Sequence, residues 1–310
     1  MKNFLSLLLI FFSLNVSADE QIIEGYSYKK PSILEPFTSM PHNFSDFFHE
    51  SFSKDSLGPW ALIASSTTLL YIYDQKISNE TKRFGRRLHI GNQDHTKDMV
   101  KIAGVSVLRG PTDLGSTMYF FGDGWITLAS TSAFLIVGNI TNDYRALQTS
   151  SQLFSGLLMT GIITQAIKRS TGRESPIAAT KERGRWQPFP SWSKFQGHIS
   201  AYDAFPSGHL ATAIMGVTVV AENYQEYTFI RPVGYTLASL LAFQMVNNDV
   251  HWISDYPLGI AIGYLVGKTA SKNGRTKVNS ENLEVPKTTY DFAPAIGNNG
   301  QLGLALNVSY

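Results

Sequence analysis

The sequence predicts an all-α fold: a single helical bundle of about six core helices, followed by a small hairpin-like C-terminal tail. Three observations carry that expectation. Apolar stretches of helical length recur between Leu57 and Lys268, separated by turn residues and polar loops. Strand-like segments flank an Asn-Gly turn signal at the very end of the chain. With 310 residues, 43% hydrophobic and 16% charged, the composition excludes a disordered chain and permits one large core. No internal repeat is visible.

Taken in order, the chain opens Met1-Lys2-Asn3, runs apolar from Phe4 to Val16 and reaches Val16-Ser17-Ala18 before Asp19-Glu20. One positive charge, a short apolar run and small residues form the pattern of a secretory signal peptide over residues 1–18. The run is short for a membrane span. Residues 19–56 read as an N-terminal extension, aromatic and Pro-containing, without a clean period. Leu57–Asp74 is an apolar helical candidate. Asn79–Lys101 is polar and basic, and Val100–Leu108 is a short apolar piece closed by Gly110-Pro111. Ser116–Ile140 is apolar but interrupted at Gly122-Asp123-Gly124. Arg145–Ile167 reads as a long helix, followed by a basic loop with Pro and Trp from Lys168 to Phe205. Gly208–Tyr224, Phe229–Val246 and Ile253–Lys268 complete the helical domain of residues 57–270. Residues 271–310 form a polar linker and a tail, in which Ala293–Ile296 and Gln301–Val308 flank Gly297-Asn298-Asn299-Gly300.

The helices carry polar residues such as Ser65-Ser66-Thr67-Thr68, Gln152, Gln165 and Glu222-Asn223. That mixture suits amphipathic helices in an exported, periplasmic bundle, soluble or membrane-associated; the alternative is an integral membrane protein. A mean hydropathy of −0.07 is low for a chain made mostly of membrane-spanning helices. The formal net charge of +2 gives no argument for a nucleic-acid partner. The absence of cysteine excludes disulfides, thiolate zinc sites, iron–sulfur clusters and cysteine nucleophiles.

Three segments carry candidate chemistry. The first is Lys168-Arg169-Ser170-Thr171-Gly172-Arg173-Glu174-Ser175-Pro176, at the end of a helix. The second, Phe205-Pro206-Ser207-Gly208-His209, opens another. The third is His251-Trp252-Ile253-Ser254-Asp255. Ser207 and Gly208 at a helix start offer a cap and free backbone N–H groups, which favour an anion. His251 and Asp255, four apart, share a face on a helical turn, so the carboxylate can fix the imidazole tautomer. Two histidines, an orienting carboxylate, an anion cradle and a Lys/Arg cluster are together suited to phosphoryl transfer without a metal or another cofactor.

In order and spacing these segments resemble the signature of the type 2 phosphatidic acid phosphatase and vanadium haloperoxidase superfamily, Lys-x6-Arg-Pro, Pro-Ser-Gly-His and Ser-Arg-x5-His-x3-Asp. The resemblance implies an exported phosphatase of a phosphomonoester or diphosphate, carried by a lipid or a small organic molecule. In that scheme His251 is the nucleophile that forms a phosphohistidine, Asp255 orients it and His209 protonates the leaving oxygen. Lys168, Ser207 and Gly208 hold the phosphoryl oxygens. Two positions depart from the pattern. Ser175 stands where an arginine is expected before Pro176, and Gln244-Met245 replaces the Ser-Arg pair. Arg173, with Arg169 on the same loop, is the expected substitute contact for phosphate, and Gln244 keeps a donor without charge. The competing expectation is a catalytically weakened phosphate- or lipid-binding member of the same fold. The aromatic residues Trp186, Phe189, Trp192 and Phe195 are candidates for a lipid-facing mouth.

Overall fold

The structure is a computed structural model that describes residues 20–93, 95–102, 105–278, 289–296 and 302–309. The signal-like segment lies outside the described residues. The chain divides into a helical unit ending at Thr276 and a second unit from Lys277 onward.

The helical unit begins with a hairpin, β1 (Glu20–Ile23) and β2 (Tyr26–Lys29), joined through Glu24 and Gly25. Both turn residues have positive φ, as a two-residue hairpin loop requires. Two helices follow, α1 (Glu35–Thr38) and α2 (Met40–Ser51), so the extension is more regular than its composition suggests. Helix α3 (Leu57–Arg87) runs far beyond the expected end at Asp74. Its second half is rich in Lys, Arg, Glu and Gln, all good helix formers, and its buried face is polar or small: Asp74, Ser78 and Gly85. An apolar-periodicity argument is blind to such a face.

The short apolar piece near residue 100 is not helical. It belongs to an antiparallel pair, β3 (Thr96–Ile102) and β4 (Val105–Pro111). The break at Gly122-Asp123-Gly124 divides α4 (Leu114–Phe120) from α5 (Gly124–Thr141), whose N-cap is Asp123. Helix α6 (Tyr144–Thr171) is capped by Asp143, which accepts from the Ala146 N–H, and closed by Gly172 in the left-handed conformation. The remaining helices are α7 (Trp192–Gly197), α8 (Gly208–Asn223), α9 (Ile230–Asn247) and α10 (Tyr256–Asn273). A two-residue strand, β5 (Thr276–Lys277), adds to the first hairpin in the order β1-β2-β5.

The core is assembled around α6, α8 and α10. Leu153, Met159 and Ile163 of α6 meet Met215 and Val219 of α8 and Val266 of α10. A second cluster joins α8 to α9 through Leu210, Ile214, Leu241 and Met245. Inside the bundle Asn223 donates to the Gln152 side chain at 2.5 Å. The fold is all-α in character, as expected. In the second unit, β6 (Thr289–Ile296) and β7 (Leu302–Ser309) pair antiparallel with Ile296 opposite Leu302. The expected Asn-Gly turn between them lies outside the described residues.

Helix α5 stands apart in its exposure. Among the described residues it is the helix long and apolar enough to cross a membrane, and 11% of it is buried. Leu135, Ile136, Val137 and Ile140 all face outward.

Candidate active site

The C-terminus of α6, the N-terminus of α8 and the turn between α9 and α10 meet at one place. Two close approaches hold them. A Cβ on Gly172 would collide with the Gln187 carbonyl, so the loop after α6 folds back tightly only because this residue is glycine. A Cβ on Gly259 would lie 2.7 Å from the Ser207 carbonyl, which sets how near α10 comes to the start of α8. The strip Asp203–Phe205 runs alongside this loop: Ala204 N–H donates to the Arg173 carbonyl at 3.0 Å and Thr171 Oγ1 to the Phe205 carbonyl at 3.1 Å.

His251 is buried in the turn after α9. Its Nδ1 donates to the Ala204 carbonyl at 2.7 Å and lies 3.4 Å from Asp255 Oδ2. That oxygen also accepts from the Trp252 N–H at 2.8 Å. With the proton on Nδ1, Nε2 keeps its lone pair. Burial, and then the positive charge of Lys168, push His251 down to about 3. Burial pushes Asp255 up to about 6, against the pull of Arg173. His209, in the first turn of α8, has its ring centre 5.9 Å from that of His251. Its Nε2 is 3.0 Å from the Tyr119 hydroxyl, and burial together with His251 and Lys168 lowers it to about 3.

The cradle for an anion lies beside these rings. Ser207 caps α8 and accepts from the Leu210 N–H at 3.4 Å. Gly208 leaves room next to Lys168: a Cβ there would sit 3.7 Å from Nζ. Lys168 is buried and its Nζ is 3.6 Å from Asp203 Oδ2. Ser175 Oγ donates to Asp203 Oδ1 at 3.3 Å. A carboxylate thus faces the lysine and the serine that stand where the signature calls for cations.

The structure brings His251, Asp255, His209, Lys168, Ser207 and Gly208 together. It does not bring Arg173 to that cradle as a phosphate contact. The Arg173 guanidinium is fully buried and spends its two ends on carboxylates, Nη1 on Asp255 Oδ1 at 2.5 Å and Nη2 on Asp74 Oδ2 at 2.6 Å. Arg169 is likewise diverted, with its guanidinium carbon 4.3 Å from the Trp192 ring centre and 4.5 Å from that of Phe195. Gln244 donates to the Gly91 carbonyl at 2.7 Å and to Asn248 at 2.6 Å. The buried Met245 sulfur accepts from Ser207 Oγ at 3.7 Å. In the aromatic loop Trp186, Phe189 and Trp192 are exposed, Trp186 also packing on Phe205 and Arg173, whereas Phe195 is buried and so does not face outward.

Sequence reasoning missed Asp74, Tyr119 and Asp203. A lone carboxylate closing the apolar run Leu57–Tyr73 was a usable signal for Asp74. Tyr119 lies in an apolar stretch and Asp203 in a polar loop, where neither stands out. Among the described residues no group of three or more His, Asp or Glu is gathered to hold a metal.

Comparison with known proteins agrees with this assembly. The family model of the PAP2 superfamily matches residues 150–277, from the first third of α6 to β5. A lipid A 1-phosphatase of Porphyromonas gingivalis is similar, 34% identical over 79 residues. The similarity covers 25% of this chain and 18% of that protein's length. No solved structure matches the chain significantly.

Proposed function

We propose that this chain is an exported, membrane-associated phosphatase that removes a phosphoryl group from a phosphomonoester or diphosphate carried by a lipid. The observation that carries the reading is His251, neutral, with Nδ1 donated to Ala204 and Nε2 left as a nucleophile next to Lys168 and the start of α8. Nε2 attacks phosphorus; the P–N bond forms as the bond to the leaving oxygen breaks. Lys168, Ser207 and the Gly208 N–H take the phosphoryl oxygens. His209 gives its proton to the leaving oxygen, and its Nδ1 is the nitrogen left for this because Tyr119 engages Nε2. Burial, His251 and Lys168 hold His209 down at about 3, so before substrate binds it is neutral at pH 7. A phosphate dianion counters the field of Lys168 and lets it hold the proton. Water then attacks phosphorus, the P–N bond breaks and His209 recovers a proton from that water. No step calls on a metal.

The lipid class follows from the similarity to a lipid A 1-phosphatase and from the apolar outer face of α5. Export rests on the pattern of residues 1–18. Small organic phosphates are the other substrate class. A second reading, a weakened binding protein of the same fold, is favoured by Asp203 on Lys168 and by the diversion of Arg173, Arg169 and Gln244.

The test is phosphate release from nitrophenyl phosphate and from a lipid phosphate in vesicles, with EDTA present throughout. Wild type should release phosphate and leave an acid-labile phosphoenzyme after acid quench. His251→Ala should do neither. Equal rates for the two proteins would overturn the enzyme reading and leave the binding one.

A further inference from the structure

We propose that Asp74, on α3 and outside the segment that matches the family, is a positioning residue for the His251–Asp255 pair, acting through the Arg173 guanidinium and Ser254. The inference rests on the assignment of His251 as nucleophile.

Asp74 is as buried as a core leucine, with 1% of its surface exposed, and it lies in the middle of a 31-residue helix. A carboxylate in such a place must be compensated, and every compensating group comes from the catalytic loops. Oδ1 accepts from the Ser254 N–H at 3.0 Å. Oδ2 accepts from Ser254 Oγ at 2.5 Å and from Arg173 Nη2 at 2.6 Å. Arg173 Nη1 then reaches Ser254 Oγ at 2.7 Å and Asp255 Oδ1 at 2.5 Å. Asp255 Oδ2, the other oxygen of that carboxylate, is the one beside His251 Nδ1. One cation is therefore shared by two buried carboxylates, one on α3 and one on the nucleophile's turn.

The sharing has two effects. Mechanically, Asp74 ties the turn Ile253–Asp255 to a long helix through three hydrogen-bonded groups, which fixes the carboxylate against which the imidazole is aligned. Electrostatically, Asp74 divides the field of Arg173 and so keeps Asp255 from being wholly neutralised by it. The guanidinium cannot turn elsewhere, because Tyr71, Trp186 and Trp252 surround it at 4.9–5.5 Å and its Nη2 also donates to the Arg183 carbonyl at 3.0 Å. Around the network lie Asp74 from α3; Arg173, Glu174 and Arg183 from the loop after α6; Lys168 from α6; Asp203 from the strip before α8; His209 from α8; and His251 and Asp255 from the turn after α9. A purely structural ion pair would stabilise the fold without entering the rate of a folded molecule.

The experiment compares Asp74→Asn with wild type in the full chain, per folded molecule, on nitrophenyl phosphate. Asparagine keeps the shape and one acceptor but removes the charge. The expected result is a fall in kcat of about tenfold or more with KM within about twofold. Removing a negative charge disfavours protonation of both Asp255 and His251, so the acid limb of the rate profile should move to lower pH by about half a unit or more. An unchanged kcat and an unchanged limb would overturn the proposal. NMR titration of the His251 ring supplies a readout without turnover, and should move in the same direction. If wild type proves inactive, the phosphatase reading fails while this titration still judges the coupling. Where Asp74→Asn does not fold, Ser254→Ala replaces it: kcat should fall about threefold or more with KM retained, and an unaltered kcat would overturn the proposal.

Discussion

The two halves of the proposed active site are built to different standards. On the side of the proposed nucleophile the polar groups are closely paired, apart from Arg173 Nε, which has no hydrogen-bond partner: His251 has a carbonyl and a carboxylate, Asp255 has an N–H and a guanidinium, and the guanidinium has a second carboxylate behind it. On the side of the phosphoryl oxygens the cradle holds Lys168, a helix start and a carboxylate that competes for the lysine. The side of the proposed nucleophile is held by buried hydrogen bonds and ion pairs. The oxygen side has to release Asp203 to receive substrate. Arg173 has gone to the first side and Arg169 to the rings of Trp192 and Phe195, and this is why a composition adequate in cations still yields a cradle poor in them.

The largest effect expected from separating these halves concerns His209, which stands between them. His209→Ala should cost about 10²- to 10⁴-fold on an alkyl phosphate, the usual worth of a general acid, and far less on a nitrophenyl phosphate, whose leaving group departs unaided. Rate ratios on the two substrates measure it directly. An equal loss on both would move the acid elsewhere. A smaller effect, in the direction of gain, is expected from the oxygen side. Ser175→Arg places a guanidinium beside Asp203, releases Lys168 and should lower KM by about threefold to tenfold, as one charge-assisted contact allows. A KM that does not fall, in a protein of unchanged stability, would mean that Asp203 does not hold the lysine back.

The smallest effect is on stability. His251 sits at about 3 in the folded chain and near 6.5 when unfolded. Its stabilising contribution is complete above about pH 6.5 and is lost as pH falls toward 3, because the unfolded chain then binds the proton that the folded one refuses. Asp255, raised to about 6, works in the opposite sense between about 3.8 and 6. His251→Gln should therefore lose less stability than wild type between pH 6 and 4, by about 1 kcal/mol per pH unit, in urea titrations. Parallel curves would show an ordinary imidazole.

Much of this was legible in the sequence, for reasons that differ between elements. The bundle was readable because α6, α8, α9 and α10 bury apolar faces, and Gly122-Asp123-Gly124 marked a real break because Asp123 caps α5. The candidate site residues could be named from the sequence because Ser207, Gly208, His209, His251 and Asp255 lie within short segments, and the structure places them side by side. What escaped depends on long-range placement. The second half of α3 buries Ser78 and Gly85 rather than leucines. Arg173 was expected to face outward to phosphate; nothing local reveals that a carboxylate 99 positions earlier, Asp74, draws it inward. The hairpin Thr96–Pro111 is too short and too mixed for a period to declare it.

The small sheet β1-β2-β5 has a topological consequence. It hydrogen-bonds the first described strand of the helical unit and the last to the same middle strand, so these two edge strands lie about 10 Å apart, two strand spacings. A bridge of a few residues would join them into a ring. The ring could then be opened at the exposed turn 225–229 between α8 and α9 without cutting a helix. Such a circular permutant would read the same elements in a rotated order, with α9 first and α8 last, and would bring the same side chains to the same site. The linear order in which the three signature-like segments occur is thus a property of the chain, while their meeting is a property of the fold.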